Sequence, residues 1–263
     1  MAPTDPKASA PLVQQYRPTR LADVRGQAPV LTQLRRYCAA PYPTAFLFHG
    51  ETGVGKTSTA QALAAELGCV VTQGPLGGVQ EIASGEQTGE AVRMLADSLR
   101  LVPMLGSGWR VAIINEADYM SASAAQIWLD VLEALPARTV VVFTTNRADR
   151  LPARFRDRCE EVAFASTAAT LTAPAAALIA DIWQQAGRTD APPTVAALDA
   201  VDEGGHLSFR RLVQRLQTVL RGGTIAQRPA RPTEPTPHAP TVTTSRRSAA
   251  LKAWTTRRAR QAS

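Results

Sequence analysis

The stretch "GETGVGKT", Gly50 to Thr57, matches the pattern G-x-x-x-x-G-K-[ST], and its flanks fit the pattern's usual setting. An apolar run, "TAFLFH", precedes it, and an alanine-rich helical segment, "GKTSTAQALAAELG", follows it. Such a loop between a strand and a helix lets successive backbone N–H groups converge on phosphate oxygens. Lys56 then places a cation against the outer phosphates, and the Thr57 hydroxyl offers a ligand to Mg²⁺. The candidate phosphate-binding residues are therefore Gly50, Glu51, Thr52, Gly53, Val54, Gly55, Lys56 and Thr57, with Ser58 on the first helical turn.

Outward from this loop, apolar runs suited to buried strands alternate with helical patterns. The runs are "TAFLFH", "CVVTQ", "RVAIIN", "TVVVFTT" and "EEVAFA". Gly68 is placed as a helix C-cap, and Pro103 and Pro136 close "TGEAVRMLADSLRLVP" and "SASAAQIWLDVLEALP". This alternation predicts an α/β fold, a parallel five-stranded sheet with helices on both faces. After Phe164 the strand pattern stops, and "PAAALIADIWQQAG", "TVAALDAVDEGG" and "SFRRLVQRLQTVLRGG" predict a small three-helix domain. The expected organisation is an N-terminal arm (1–10), a nucleotide-binding domain (11–165), a helical lid (166–221) and a proline-rich basic tail (222–263).

A chain of 263 residues with 45% hydrophobic content is large enough to bury a core. Cys38, Cys69 and Cys159 are too few and scattered for a disulfide framework, and the opening "MAPTDPKASAP" lacks the apolar core of a signal peptide. No apolar run approaches the ~20 residues needed to span a bilayer. A soluble protein of a reducing cytosol, free or with the nucleoid, is expected, with no membrane partner. The formal charge of +7 resides wholly in residues 222–263, where eight basic residues face Glu234 alone. The composition of "RPARPTEPTPHAPTVTTS" predicts disorder, either as solvated linker or as an arm gaining affinity by releasing counterions from nucleic-acid phosphates.

Three further segments bear on chemistry. "WRVAIINEADYM" runs an apolar strand into Asn115 and Glu116, where a second nucleotide motif normally offers two adjacent carboxylates. "TTN" ends the fourth strand, where Asn146 is a candidate for orienting an attacking water. "RFRDRC" offers an arginine able to reach a neighbouring subunit's phosphate and stabilise transition-state charge.

Taken with "YRPTRLADVRGQ", Tyr16 to Gln27, these motifs resemble the AAA+ ATPase subunits of DNA polymerase sliding-clamp loaders: replication factor C small subunits, bacterial gamma subunits and phage counterparts. The resemblance covers about residues 11–221. It implies ATP and Mg²⁺ as cofactors and, as partners, primer-template DNA, a sliding clamp, and other loader subunits or copies of the chain in a ring. It also implies that Tyr16, Arg17, Pro18, Gly26 and Gln27 flank the adenine and that Glu116 orients the water. Arg158 becomes the arginine finger, with the adjacent Asp157 as an acid able to pair with it. Arg210 becomes the sensor arginine of the lid, with Arg211 the alternative.

Three departures accompany the likeness. Asn115 replaces the usual metal-site aspartate and keeps a carbonyl acceptor without the charge. A hydrogen bond to a charged group contributes about 1.5–3 kcal/mol against about 0.5–1.5 for a neutral pair, so the metal should be held roughly ten-fold less tightly. A slow ATPase is expected. The four-cysteine zinc module of bacterial gamma subunits has no counterpart, since only Cys69 lies between the two motifs. The proline-rich residues 222–263 do not resemble the family's helical collar, so collar-based self-assembly is not expected. The alternatives are an inactive nucleotide-binding scaffold subunit and another DNA-associated AAA+ motor for branch migration or helicase loading.

Overall fold

A computed structural model describes residues 10–70 and 75–225. These residues fall in one compact unit; a second, Arg228–Ser263, lies outside them, as do residues 226–263 of the expected tail and the first nine residues of the expected arm.

Strands β1 (Thr44–His49), β2 (Val79–Ile82), β3 (Arg110–Ile114), β4 (Thr139–Thr145) and β5 (Glu160–Ala163) form a five-stranded sheet in the order β2-β3-β4-β1-β5, every pairing parallel. β3 and β4 are buried at every position, which is why their sequences are continuous apolar runs. Alternate residues still serve opposite faces. Phe46, Phe48, Val111 and Ile113 pack with α2 (Ala28–Ala39), α3 (Lys56–Glu66) and the C-terminal helices, whereas Leu47, Ala112, Ile114 and Phe143 pack beneath α4 (Gly89–Ser98) and α5 (Ala122–Glu133).

Helices α4 and α5 start where side chains satisfy their first amides. Thr88 Oγ1 accepts from Ala91 N at 3.2 Å and Ser121 Oγ accepts from Ala124 N at 3.1 Å. Gly68 sits at φ +78 just past α3, the left-handed position a glycine cap supplies. The order of strands positions the site. β1 lies between β4 and β5, and Phe48 and His49 are in register with Thr144 and Thr145. The loop after β1 therefore opens beside the ends of β3 and β4, at the carboxyl edge of the sheet.

Two expectations are corrected. Of the expected second strand "CVVTQ", residues 71–73 lie outside the described residues, and Val70 makes a single parallel bridge with Gly78; the strand beside β3 is Val79–Ile82. Beyond β5 lie α7 (Ala168–Gln185) and α8 (Phe209–Leu220), but no third helix forms between them. There Thr194 Oγ1 accepts from Ala197 N at 3.1 Å, Asp199 turns to φ +44, and Val201 bridges Leu207, so local turns replace helical hydrogen bonds. Among the described residues, no helix is long and apolar enough to cross a membrane.

Candidate functional site

Gly50, Gly53 and Gly55 have φ of +142, +83 and +105, backbone that side-chain-bearing residues rarely adopt, and α3 begins at Lys56 directly after Gly55. The first turn of α3 thus presents amides that lack intrahelical acceptors to the mouth of the loop. A Cβ on Gly53 would collide with Ser208 Oγ, which caps α8 by accepting from Arg211 N at 3.3 Å. That glycine lets the end of α8 sit directly over the loop.

Lys56 is 8% exposed, and its ammonium donates to Gly50 O and Glu51 O at 2.8 Å and to Asn146 Oδ1 at 2.7 Å. Burial pushes its pKa down to about 8; Glu51, Asp118 and Glu116 pull against that and Arg210 adds to it.

Beside it, Thr57 Oγ1 donates to Asn115 Oδ1 at 2.7 Å, and Thr144 Oγ1 donates to the same oxygen at 3.2 Å. Glu116 follows at φ +53, a left-handed conformation unusual for a side-chain-bearing residue. Its N–H donates to Thr144 Oγ1 at 3.2 Å, and Ser84 Oγ donates to its carboxylate. Gln87, 3% exposed, donates to the carbonyls of Asn115 and Glu116. The donors gathered here are a hydroxyl, an amide carbonyl and carboxylates. Such hard oxygens suit Mg²⁺ rather than a soft metal, and Thr57 and Asn115 are the residues that would hold it together with phosphate oxygens.

A cleft of about 420 Å³ joins these groups to α8 and to the amino-terminal segment, which opens with the single turn α1 (Leu12–Gln15). Thr52 to Ser58, Asn115, Glu116, Asn146, Tyr16, Arg17, Pro18 and Arg210 all line it. Gly50 and Glu51 contribute through the carbonyls that hold Lys56. Tyr16 Oη donates to Gln185 of α7 at 2.8 Å and Arg17 Nε donates to Ser58 Oγ at 3.3 Å, tying the segment to both walls. Of the two lid arginines, Arg210 faces the cleft, whereas Arg211 Nη1 is buried without a partner among the described residues.

Three residues lie elsewhere. Gly26 packs where a Cβ would meet Leu171 and Pro174 of α7. Gln27, 1% exposed, donates to Ala165 O and accepts from Ala165 N, both at 2.9 Å, so it joins the amino-terminal segment to the segment between β5 and α7. Neither lines the cleft. Arg158 lies outside it too, at the end of α6 (Ala153–Arg156); it donates to Arg154 O at 2.7 Å and pairs with Glu133 of α5. Its acid is Glu133, not the neighbouring Asp157. Glu81 and Ser84 also line the cleft, as do Leu178 and Phe209, and none of these was singled out by the sequence motifs.

Residues 46–167 match the ATPase family associated with various cellular activities (AAA). Replication factor C subunit 3 of Saccharomyces cerevisiae is 30% identical over 160 residues, which are 60% of this chain and 46% of that protein. DNA polymerase III subunit tau of Salmonella typhimurium is 31% identical over 166 residues, 56% of this chain and 26% of that protein. The chain thus spans less than half the length of either relative. Among solved structures, the Thermotoga maritima RuvB Holliday junction branch migration motor superposes with a TM-score of 0.58 at 17% identity, over 79% of this chain and 68% of that one, a likeness of fold.

Proposed function

We propose that the chain, whose residues 46–167 match the AAA family of ATPases, binds ATP with Mg²⁺ and hydrolyses it as one subunit of a clamp-loader-like complex acting on primer-template DNA. The convergence of Lys56, Thr57, Asn115, Glu116 and Asn146 at the carboxyl ends of β1, β3 and β4 carries this proposal. Lys56 meets the β and γ phosphates; Thr57 and Asn115 would hold the metal, which would supply charge to offset that of the phosphates. Glu116 orients and deprotonates the attacking water, and Asn146 holds it in line. Tyr16, Arg17 and Pro18 border the base, and α7 and α8 act as a lid carrying Arg210 to the phosphates. Turnover is slow, because Asn115 leaves the metal one charge short. The setting is the cytoplasm or nucleoid, with a sliding clamp and further subunits, or copies of this chain, as partners. A steady-state assay with and without primed DNA and clamp tests this: hydrolysis stimulated by both is the expected result, and ATP binding with no hydrolysis under any condition would make the chain a scaffold. Capture of a sliding clamp separates loader from branch-migration motor.

Arg158 acts in trans. Arg158→Ala should leave ATP affinity of the isolated subunit unchanged and lower assembly-stimulated hydrolysis by about ten-fold. That is less than a pre-organised donor supplies, because Glu133 competes for the guanidinium. Equal loss in the monomer and in the assembly would return Arg158 to a structural role.

Lys56 also makes binding proton-linked. Its pKa of about 8 must rise when phosphates replace carbonyl acceptors, so ATP binding takes up a proton. Calorimetry in buffers of differing ionisation enthalpy should read roughly half a proton or more per site at pH 8.5 and little at pH 7. For the empty protein the sign is set by the lowered value. The folded state binds fewer protons than the unfolded chain above pH 8, so this group's contribution to stability improves from about pH 8 up to its ordinary range.

A further inference from the structure

Asn115 leaves the metal side of the cleft one negative charge short, and the neighbouring edge strand brings a carboxylate to the same place. β2 pairs in parallel with β3, Glu81 in register with Ile113, so Glu81 shares a face with Ile113 and, two residues further on, with Asn115. Its two oxygens are both engaged: Oε1 accepts from Asn115 Nδ2, and Oε2 accepts from Gln61 Nε2 at 3.0 Å. Gln61 lies one turn after Thr57 on α3.

A carboxylate only accepts, so the NH₂ of Asn115 must face Glu81 and its carbonyl must face the other way. That carbonyl is the atom that receives the Thr57 and Thr144 hydroxyls, at 2.7 and 3.2 Å. Glu81 therefore fixes which end of the amide meets the metal position, and it adds a full negative charge one hydrogen bond behind it.

We propose that Glu81 is the displaced carboxylate of the Mg²⁺ site, a positioning residue that with Asn115 does the work of a single aspartate. The proposal rests on the nucleotide-binding reading of the cleft. It limits the slowness that Asn115 alone imposes, and it makes the charge at the two positions interchangeable: one carboxylate serves the metal, two adjacent ones repel, and none leaves it weakly held. A role confined to tying β2 to α3 through Gln61 predicts none of this.

The test uses the full chain, Mn²⁺ as the metal and β,γ-imido-ATP as the nucleotide. Calorimetry with a chelator gives metal-free nucleotide affinity, and electron paramagnetic resonance gives Mn²⁺ affinity in the ternary complex. Glu81→Gln should weaken Mn²⁺ binding by roughly ten-fold with metal-free nucleotide affinity and melting temperature nearly unchanged, since outer partners of metal ligands typically change affinity by about 10–100-fold. Glu81→Asp, which keeps the charge, should recover most of that loss. Asn115→Asp should restore tight Mn²⁺ binding in the Glu81→Gln background and gain little beside an intact Glu81. Unchanged Mn²⁺ affinity in Glu81→Gln, or an equal gain from Asn115→Asp in both backgrounds, overturns the proposal. Failure of the parent chain to bind nucleotide either with the metal or under chelation overturns the cleft assignment itself, a different and separately visible result.

Discussion

Replacing Glu116 by glutamine should lower ATP turnover by about 10²–10⁴-fold, the range spanned by a positioned general base, while leaving ATP binding intact. The size of the side chain does not change, the backbone N–H still meets Thr144 Oγ1, and Ser84 keeps an acceptor at the same distance. What disappears is the ability to take a proton from water. The left-handed backbone at φ +53 supports the assignment, because such a conformation persists only where the surroundings impose it, and here the imposed geometry turns the carboxylate into the cleft. Rapid-quench measurement under single turnover, alongside equilibrium ATP binding, separates the two effects. Turnover within ten-fold of the parent would remove Glu116 from the chemistry.

Lys56→Ala should weaken ATP binding by about 100-fold or more. The substitution deletes the ammonium that would meet the β and γ phosphates, and each charge-assisted hydrogen bond contributes about 1.5–3 kcal/mol, so losing two exceeds ~3 kcal/mol. It also leaves Gly50 O, Glu51 O and Asn146 Oδ1 without the donor that gathers them, which loosens the loop before any ligand arrives. Calorimetric titration with ATP measures the change. An affinity equal to the parent's would mean that the glycine loop is structural.

The elements that sequence made legible are those whose signal is local. β1, β3 and β4 are continuous apolar runs because both faces are covered, and the loop from Gly50 to Thr57 declares itself through spacing. β2 escaped notice because it is a four-residue edge strand with Gln80 and Glu81 on its partly exposed positions, while the more apolar "CVVTQ" next to it drew the assignment. The missing third helix had a helical composition and lost to turn geometry around Asp199. Site residues divide in the same way. Lys56, Thr57, Asn115, Glu116 and Asn146 were readable from motifs, whereas Gly26 and Gln27 owe their positions to α7 and to Ala165, partners more than 130 residues away. The pairing of Arg158 with Glu133 and of Asn115 with Glu81 spans elements that no local pattern connects.

All three donors of the Lys56 ammonium are engaged within the protein, by two loop carbonyls and the Asn146 side chain. Ligand entry is therefore a substitution: an incoming anion gains only the difference between its own oxygens and those it displaces. Chloride, or a lone inorganic phosphate, makes a poor exchange, because it lacks the further anchoring along the first turn of α3 that a chain of phosphates provides. The lysine's internal partners would thus act as a filter against small anions and favour a polyphosphate.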